Sequence, residues 1–255
     1  VNPNRDLAIE LPRNEARLMN LVELRPDLRM VLDDGPGQAY LLRRGSEAVL
    51  VDTGIAGQGD SVAAALIDWG LDRDALTHVL LTHWHPDHAG SAAEISAWPN
   101  VKVWAHQVDA PIIRGDVAGS FAHLTHAEEG LYSQISGTVP HAPPSRVDRE
   151  LTDDEVLAEL DASVVSTPGH TDGSIALHFH AAGVLFTGDV ATENHGYVIL
   201  GPFNHDRARA RESFRRFADI DVDTVCFGHG QPLLGHDTHK LRDAASAAQI
   251  PDPLG

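Results

Sequence analysis

Thr82-His83-Trp84-His85-Pro86-Asp87-His88-Ala89-Gly90 sets four potential metal ligands within six residues. The apolar run Val79-Leu80-Leu81 before it reads as a buried strand. Ala89 to Trp98 after it reads as a helix, with Pro86 tolerated near its first turn. His83 and His85 are two apart, so an extended backbone turns both to one side. Asp87 and His88 follow where the chain enters the helix. One pair can hold one ion and the second pair an adjacent ion, and imidazole with carboxylate suits zinc or a similar divalent metal. The plainer reading is a polar turn in which histidines merely cluster. The joint demand on ligand count and spacing weighs against it.

The chain around this stretch has 255 residues, enough for one large domain with a real core. No break in composition divides it, so residues 1–255 are read as one domain. A formal charge of −18 argues against a nucleic-acid backbone as substrate. Cys226 is the one cysteine, which excludes an intrachain disulfide framework. Val1 to Asp6 lacks a basic stretch followed by an apolar core, so it does not read as a signal peptide. The chain does not begin with methionine, which allows for a removed upstream segment. No apolar run is long enough to span a bilayer. Cytoplasmic residence is the default expectation. The expected partner is a small-molecule substrate, with neither nucleic acid nor membrane; the oligomeric state is open, a homodimer included.

Outward from the motif, residues 1 to 27 form a mixed lead-in. Leu28 to Leu32, Gln38 to Arg43 and Glu47 to Asp52 then read as an antiparallel meander. Asp33-Asp34-Gly35-Pro36-Gly37 and Arg44-Gly45-Ser46 supply its turns. Asp52, in Asp52-Thr53-Gly54, is either a hydrogen-bonding support for the metal loops or a turn and capping residue. Asp60 to Trp69 has helical spacing. His78 reads as a strand-edge residue, and His106 closes a strand from Val101. Residues 107–158 are the least periodic part and read as a lid or substrate-wall insertion, or as plain surface helices. His123, His126 and His141 are not assigned as ligands. Ser163 to Thr167, Ser174 to His180, Val184 to Phe186 and Asp223 to Phe227 read as strands. Asp206 to Ala218 and Asp237 to Ala248 read as helices, the first capped by Asp206. His178 and His180 share the polar face of their strand. Interleaved strands and helices predict an α/β layered fold.

Three later signals share one design. Gly169-His170, Gly188-Asp189 and Gly228-His229 each end or follow a strand-like run in a small-residue turn that carries a ligand. Glycine there lets the backbone approach an ion closely and turn away. With His83, His85, Asp87 and His88 they give five histidines and two aspartates. In that order, together with Asp52-Thr53-Gly54, they resemble the metallo-β-lactamase superfamily. The resemblance covers most of the chain. It implies an αββα sandwich, two mixed β-sheets flanked by helices, with the site along one edge. It also implies that His83, His85 and His170 hold a first metal and Asp87, His88 and His229 a second, with Asp189 bridging them. The cofactors expected are two divalent ions, zinc foremost, with iron or manganese as alternatives.

Two dications set against two carboxylates and one hydroxide leave about +1, which suits an anionic substrate or a developing oxyanion. The mechanism so implied is hydrolysis by a metal-bridging hydroxide, with Asp87 carrying a proton to the leaving group. Cysteine-ligand β-lactamases would need Cys where Asp189 stands, and Cys226 reads as a buried thiol. The short stretch after His229 leaves little room for the helical appendage of glyoxalase II-like thioesterases. Acyl-homoserine lactonases use a tyrosine shortly after the bridging aspartate, and Tyr197, with His195 nearby, is the candidate here. The expected activity is hydrolysis of an ester-type bond, a lactone or other carboxylic ester first. The alternatives are thioester or phosphodiester hydrolysis, a mononuclear iron sulfur dioxygenase, and a binding protein without turnover.

Overall fold

A computed structural model describes residues 21–32 and 36–248. The lead-in before Leu21 and the Asp33-Asp34-Gly35 part of the first turn lie outside the described residues. The chain runs through β1 (Leu21–Arg25), β2 (Leu28–Leu32), β3 (Gln38–Arg44), β4 (Glu47–Val51), α1 (Gly59–Asp68), β5 (Leu76–Leu81), α2 (Pro86–Ala89), α3 (Ala92–Ser96) and β6 (Lys102–His106). It continues through α4 (Ala110–Ile113), α5 (His126–Ile135), β7 (Arg149–Leu151), β8 (Val156–Leu157), β9 (Ala162–Ser166), β10 (Ile175–Phe179) and β11 (Val184–Phe186). Then come β12 (Ala191–Asn194), β13 (Tyr197–Leu200), α6 (Arg207–Arg215), β14 (Thr224–Cys226), β15 (Leu233–Leu234) and α7 (His239–Ala247).

Seven strands form one sheet in the order β1 to β7, and six form a second in the order β15-β14-β11-β10-β9-β8. Both sheets are mixed. The first is antiparallel through β4 and parallel from β4 to β7. In the second, only β11 and β14 run parallel. The layering follows from the period of two along each strand. In β3 and β4, Ala39, Leu41, Ala48 and Leu50 pack outward with Val62 and Leu66 of α1 and Ile95 of α3. Their neighbours Tyr40, Leu42, Val49 and Val51 pack inward with Ile175, Leu177 and Phe179 of β10 and with Phe186 of β11. Ala176 and Leu185 face the other way, onto Phe214 of α6 and Leu241 of α7. Helix, sheet, sheet and helix therefore stack in that order, as the sequence resemblance implied. Among the described residues no helix is long and apolar enough to cross a membrane.

Two expectations need correction. The helix expected from Ala89 to Trp98 is two short pieces, α2 and α3, broken at Gly90-Ser91. The loop after β4 docks there: a Cβ on Gly90 would lie 2.5 Å from Ala56 N, and Ser91 Oγ donates to Ile55 O at 2.5 Å. The 1–27 lead-in contains the edge strand β1, which lacks a buried face and so lacks the alternation that would betray it.

The site lies where strand ends from both sheets meet. β4 and β5 run parallel and end side by side at Asp52 and Thr82. β11 and β14 run parallel and end in the loops that carry Asp189 and His229. Main-chain bonds stitch the sheets at this edge: Ile175 N donates to Thr82 O at 2.9 Å, and Gln38 N donates to Gly228 O at 3.0 Å.

Candidate metal centre

The loop after β5 turns His83 and His85 to one point, where the loop between β9 and β10 brings His170. His83 Nε2 lies 3.1 Å from His85 Nδ1, and His170 Nε2 lies 3.0 Å from the same atom. Asp87 and His88, on α2, face His229 from the loop after β14. Asp87 Oδ2 lies 3.7 Å from His88 Nε2 and 3.5 Å from His229 Nε2. Asp189 stands between the two groups. Its Oδ1 is 3.2 Å from His88 Nε2, while its Oδ2 is 3.1 Å from His229 Nε2, 3.5 Å from His170 Nε2 and 4.0 Å from His83 Nε2. The sequence holds these residues in four separated places, and the fold gathers all seven.

Glycines make that gathering possible at particular contacts. A Cβ on Gly228 would lie 1.9 Å from Asp189 Oδ1, and one on Gly201 would lie 1.8 Å from Asp189 O. Gly169, at φ +129°, leaves a Cβ only 2.2 Å from Ala210 N, so the His170 turn closes tightly on α6.

For His83, His88 and His229, the ring nitrogens that face away from the centre are held by partners that fix the tautomer. Asp52 Oδ2 lies 2.9 Å from His88 Nδ1 and accepts from Thr82 Oγ1 at 2.8 Å, while Asp52 Oδ1 accepts from Thr82 N at 2.8 Å. Thr82 Oγ1, its proton committed to Asp52, accepts from His83 Nδ1 at 3.0 Å. Asp52 is thus a support for the histidines rather than a capping residue. It is buried and sits at φ +57°, a left-handed conformation that only the surrounding bonds make tolerable. His229 Nδ1 donates to Pro36 O at 2.6 Å, leaving its Nε2 lone pair turned inward.

A metal ion suits this donor set. His88 Nε2 and Asp189 Oδ1 are buried and without a hydrogen-bond partner, aimed at one another across 3.2 Å. Orphaned buried polar atoms of this kind are costly unless a ligand completes them. Three groups bring their ligand atoms within 4.8 Å of one another, close enough to hold an ion: His83-His85-His170, His83-His88-Asp189 and Asp87-His88-His229. The electrostatics differ between them. Burial, reinforced by neighbouring histidines, holds His83 and His85 well below the usual imidazole range, and burial brings His170 down to about 4. These rings are neutral and ready to ligate. Burial also opposes charge on His88 and His229, but Asp189 and Asp87 outweigh it and raise both.

Sequence reasoning misses three contributors. Pro36 reads as a plain turn residue, yet its carbonyl orients His229. Gly37 reads likewise, yet it packs so closely on Asp87 that a Cβ would lie 2.1 Å from the Asp87 carbonyl oxygen. Asp109, 1% exposed, carries no sequence signal at all. Its Oδ2 accepts from Thr171 Oγ1 at 2.7 Å and from Trp84 N at 3.1 Å, and its Oδ1 accepts from Gly173 N at 2.9 Å. Burial pushes this carboxyl up to about 6 against the pull of those bonds.

Other sequence candidates fall elsewhere. Tyr197 lies at the tip of the β12–β13 hairpin, opposite Asn194, and is 74% exposed. His195, at φ +51°, occupies the exposed turn of the same hairpin. His78 packs edge-on against Trp104, His106 Nε2 lies 3.3 Å from Asp153 Oδ1, and His178 packs against His180. Cys226 faces the core between the sheets, where burial pushes its thiol well up. Part of 107–158 reaches the centre's border. Gly119 packs on the Trp84 ring, which lies 4.6 Å from the His85 ring, and Ser120 Oγ lies 3.0 Å from His205 Nδ1. A cavity of about 180 Å³ opens there, lined by Trp84, Pro86, Ile112, Ile113, Val117 and Pro143.

The comparisons with known proteins agree with this geometry. A family model described as Metallo-beta-lactamase superfamily matches residues 32–229. A probable metallo-hydrolase of Bacillus subtilis (strain 168), YflN, is 30% identical over 179 residues, covering 63% of this chain and 66% of its own. An atrochrysone carboxyl ACP thioesterase of Cryptosporiopsis sp. (strain 8999) is 26% identical over 184 residues, 68% of this chain and 46% of that protein. A crystal structure of a metallo-beta-lactamase family protein from Thermus thermophilus superposes with a TM-score of 0.63 at 25% identity, covering 88% of this chain and 79% of that one.

Proposed function

Because the chain belongs to the metallo-β-lactamase superfamily, we propose that it is a metal-dependent hydrolase with a two-ion centre that cleaves an ester-type bond of an acyl substrate. The observation that carries this reading is the convergence of seven donor side chains, two of whose inward atoms are buried and otherwise unpaired. His83, His85 and His170 would hold one ion, and Asp87, His88 and His229 the other, with Asp189 shared. Divalent ions held there would supply a water acidic enough to ionise near neutral pH and positive charge for a developing oxyanion. Zinc is the ion proposed.

The protein's own residues do the rest. Neutral His83, His85 and His170 offer lone pairs without first shedding protons. Asp52 and the Pro36 carbonyl keep the Nδ1 protons of His88 and His229 pointing outward. Asp87 is proposed to carry a proton to the leaving group on the carboxylate oxygen not turned toward His88 and His229. The Trp84 ring beside His85, with Gly119 packed on it, is proposed as a wall for the acyl part of the substrate.

Thioesters are the substrate class to test first. A relative named as a thioesterase supports them, while the lactone reading leans on Tyr197, which stands exposed at a hairpin tip. The deciding experiment is metal analysis followed by a screen of thioesters, lactones, carboxylic esters and phosphodiesters on the zinc-loaded protein. Two ions per chain with turnover of an acyl thioester or ester support the proposal. One iron per chain with oxygen uptake, or phosphodiester turnover alone, overturns it. An Asp87→Asn protein that keeps both ions and full turnover removes Asp87 from the proton path.

A further inference from the structure

We infer that Asp109 is a positioning residue for the first of the two ions, acting on His85 and His170 through the loops that carry them. The inference rests on the two-ion reading above. Its basis is where the hydrogen bonds of this carboxylate end. One donor is Trp84 N, the main-chain amide between His83 and His85. Another is the hydroxyl of Thr171, adjacent to His170. The third, Gly173 N, belongs to the same turn as His170. A single side chain on the loop after β6 therefore ties the β5 loop to the β9–β10 loop, and these two loops supply all three histidines of the first group.

The arrangement is built for this contact. A Cβ on Gly173 would lie 2.4 Å from Asp109 Oδ1, so the turn can approach the carboxylate only as glycine. Thr171 is itself locked: its amide donates to Ser174 Oγ at 2.8 Å, and the two hydroxyls lie 2.8 Å apart. Asp109 is buried and held by three neutral donors, without an ion pair among the described residues. A carboxylate is an expensive group to bury for packing alone.

Of the supports for the two ion positions, Asp52 serves both, whereas Pro36 and Asp109 serve one each. Asp52 reaches His88 directly and His83 through Thr82. Pro36 reaches His229. Neither touches the loop of His170, and Asp109 touches neither His88 nor His229. Losing Asp109 should therefore loosen one ion position and spare the other.

The test is zinc titration of the full chain under chelator competition, with anomalous scattering from crystals to say which position fills. Asp109→Asn is expected to weaken zinc at His83-His85-His170 by about 10- to 100-fold, the usual reach of such supporting bonds, and to leave Asp87-His88-His229 unchanged. Thr171→Val is expected to weaken the same position, and Thr171→Ser, which keeps the hydroxyl, to restore it. Equal weakening of both positions, or no change at either, overturns the inference. Should Asp109→Asn fail to fold, the Thr171→Val and Thr171→Ser pair decides on the same criterion. A wild-type chain that binds no second ion fails before any substitution is made; it overturns the two-ion reading and this inference with it.

Discussion

The two nitrogens of each site histidine have different work, and the burial of His88 exposes the division. Its Nδ1 faces Asp52 while its Nε2 faces Asp189, so carboxylates bracket the ring and hold a proton on it. Burial opposes charge on His229 too, but Asp189 and Asp87, both on its Nε2 side, raise it, whereas burial lowers His83, His85 and His170. A raised imidazole keeps its proton to higher pH and must shed it to ligate. Zinc affinity at Asp87-His88-His229 should therefore fall more steeply than at the first position as pH drops from neutral into the mildly acid range. Calorimetric titration in buffers of different ionisation enthalpy checks this by counting protons released per ion. Equal proton release at both positions would contradict it. Gly228 gives a second residue-scale prediction. The hydrogen that stands where a Cβ would meet Asp189 Oδ1 is what lets the carboxylate sit between the two groups. Gly228→Ala displaces it by an ångström or so, and about a hundredfold loss of turnover is expected. The measurement is steady-state kinetics at saturating zinc, with circular dichroism to show that the fold persists. Residue identity is legible where chemistry forces it: ligand types at ligand spacing announce His83, His85, Asp87 and His88, and glycine-flanked turns announce His170, Asp189 and His229. It is not legible for Pro36, Gly37 or Asp109. The first two act through a backbone carbonyl and a close approach that any turn sequence permits. The third is a lone aspartate whose partners are distant in the chain.

Helix α5 ties the 107–158 segment to the loop before α6, and one carboxylate, Glu128, makes the polar bonds of that tie. Glu128 accepts from Thr125 N at 2.8 Å and Thr125 Oγ1 at 2.9 Å, closing a capping box. Its other oxygen accepts from Phe203 N at 3.2 Å and Arg207 Nη1 at 3.1 Å, on the loop that follows β13 and the start of α6. Tyr132 adds a ring contact to Phe203 at 5.4 Å. Burial pushes the Glu128 carboxyl up, but these bonds outweigh it and hold it below the usual glutamate range. The stability it contributes is therefore complete above that range and is lost as pH falls through the lowered folded value. Glu128→Gln should cost about 1.5–3 kcal/mol at neutral pH, the ordinary worth of hydrogen bonds to a charged group. The same change should flatten the acid limb of a plot of Tm against pH, and an unaltered acid limb would rule this role out. At the scale of elements, central strands are legible in the sequence because each is an apolar run of strand length. β2 and β11 match the expectation end for end, and β3, β5, β9 and β10 match within a few residues. The edge strand β1 and the β12–β13 hairpin escape because their exposed faces carry no alternation. The single helix expected after the motif does not form because Gly90 and Ser91 answer to the docked loop before α1 rather than to helical propensity.

Among the described residues, the two large sheets meet along one edge at the centre, with the β12–β13 hairpin as a small third sheet. His83, His85, Asp87 and His88 follow β5 of the seven-stranded sheet, whereas His170, Asp189 and His229 lie in loops of the six-stranded sheet. Each candidate ion position draws on both sheets: His170 joins His83 and His85, and His229 joins Asp87 and His88. An ion bound there is thus a clasp between layers, and binding to the folded state alone must raise stability by mass action. With free ion about a hundredfold above Kd, each ion adds about 2.7 kcal/mol. For a chain of this size that corresponds to roughly 5–10 °C in Tm per ion. Chelation of both ions should therefore lower the melting temperature by twice that amount, about 10–20 °C, and readdition of zinc should restore it. The chelated chain should nevertheless remain folded below its lowered Tm. The cores on either side of each sheet do not involve the centre, and the bonds from Ile175 N to Thr82 O and from Gln38 N to Gly228 O cross the edge without it. Far-UV circular dichroism unchanged by chelator, together with a depressed Tm, is the expected pair of results. If chelation strips the ions, as elemental analysis would show, yet leaves Tm where it was, the ions do not clasp the sheets. The edge would then be held by its main-chain bonds and packing alone.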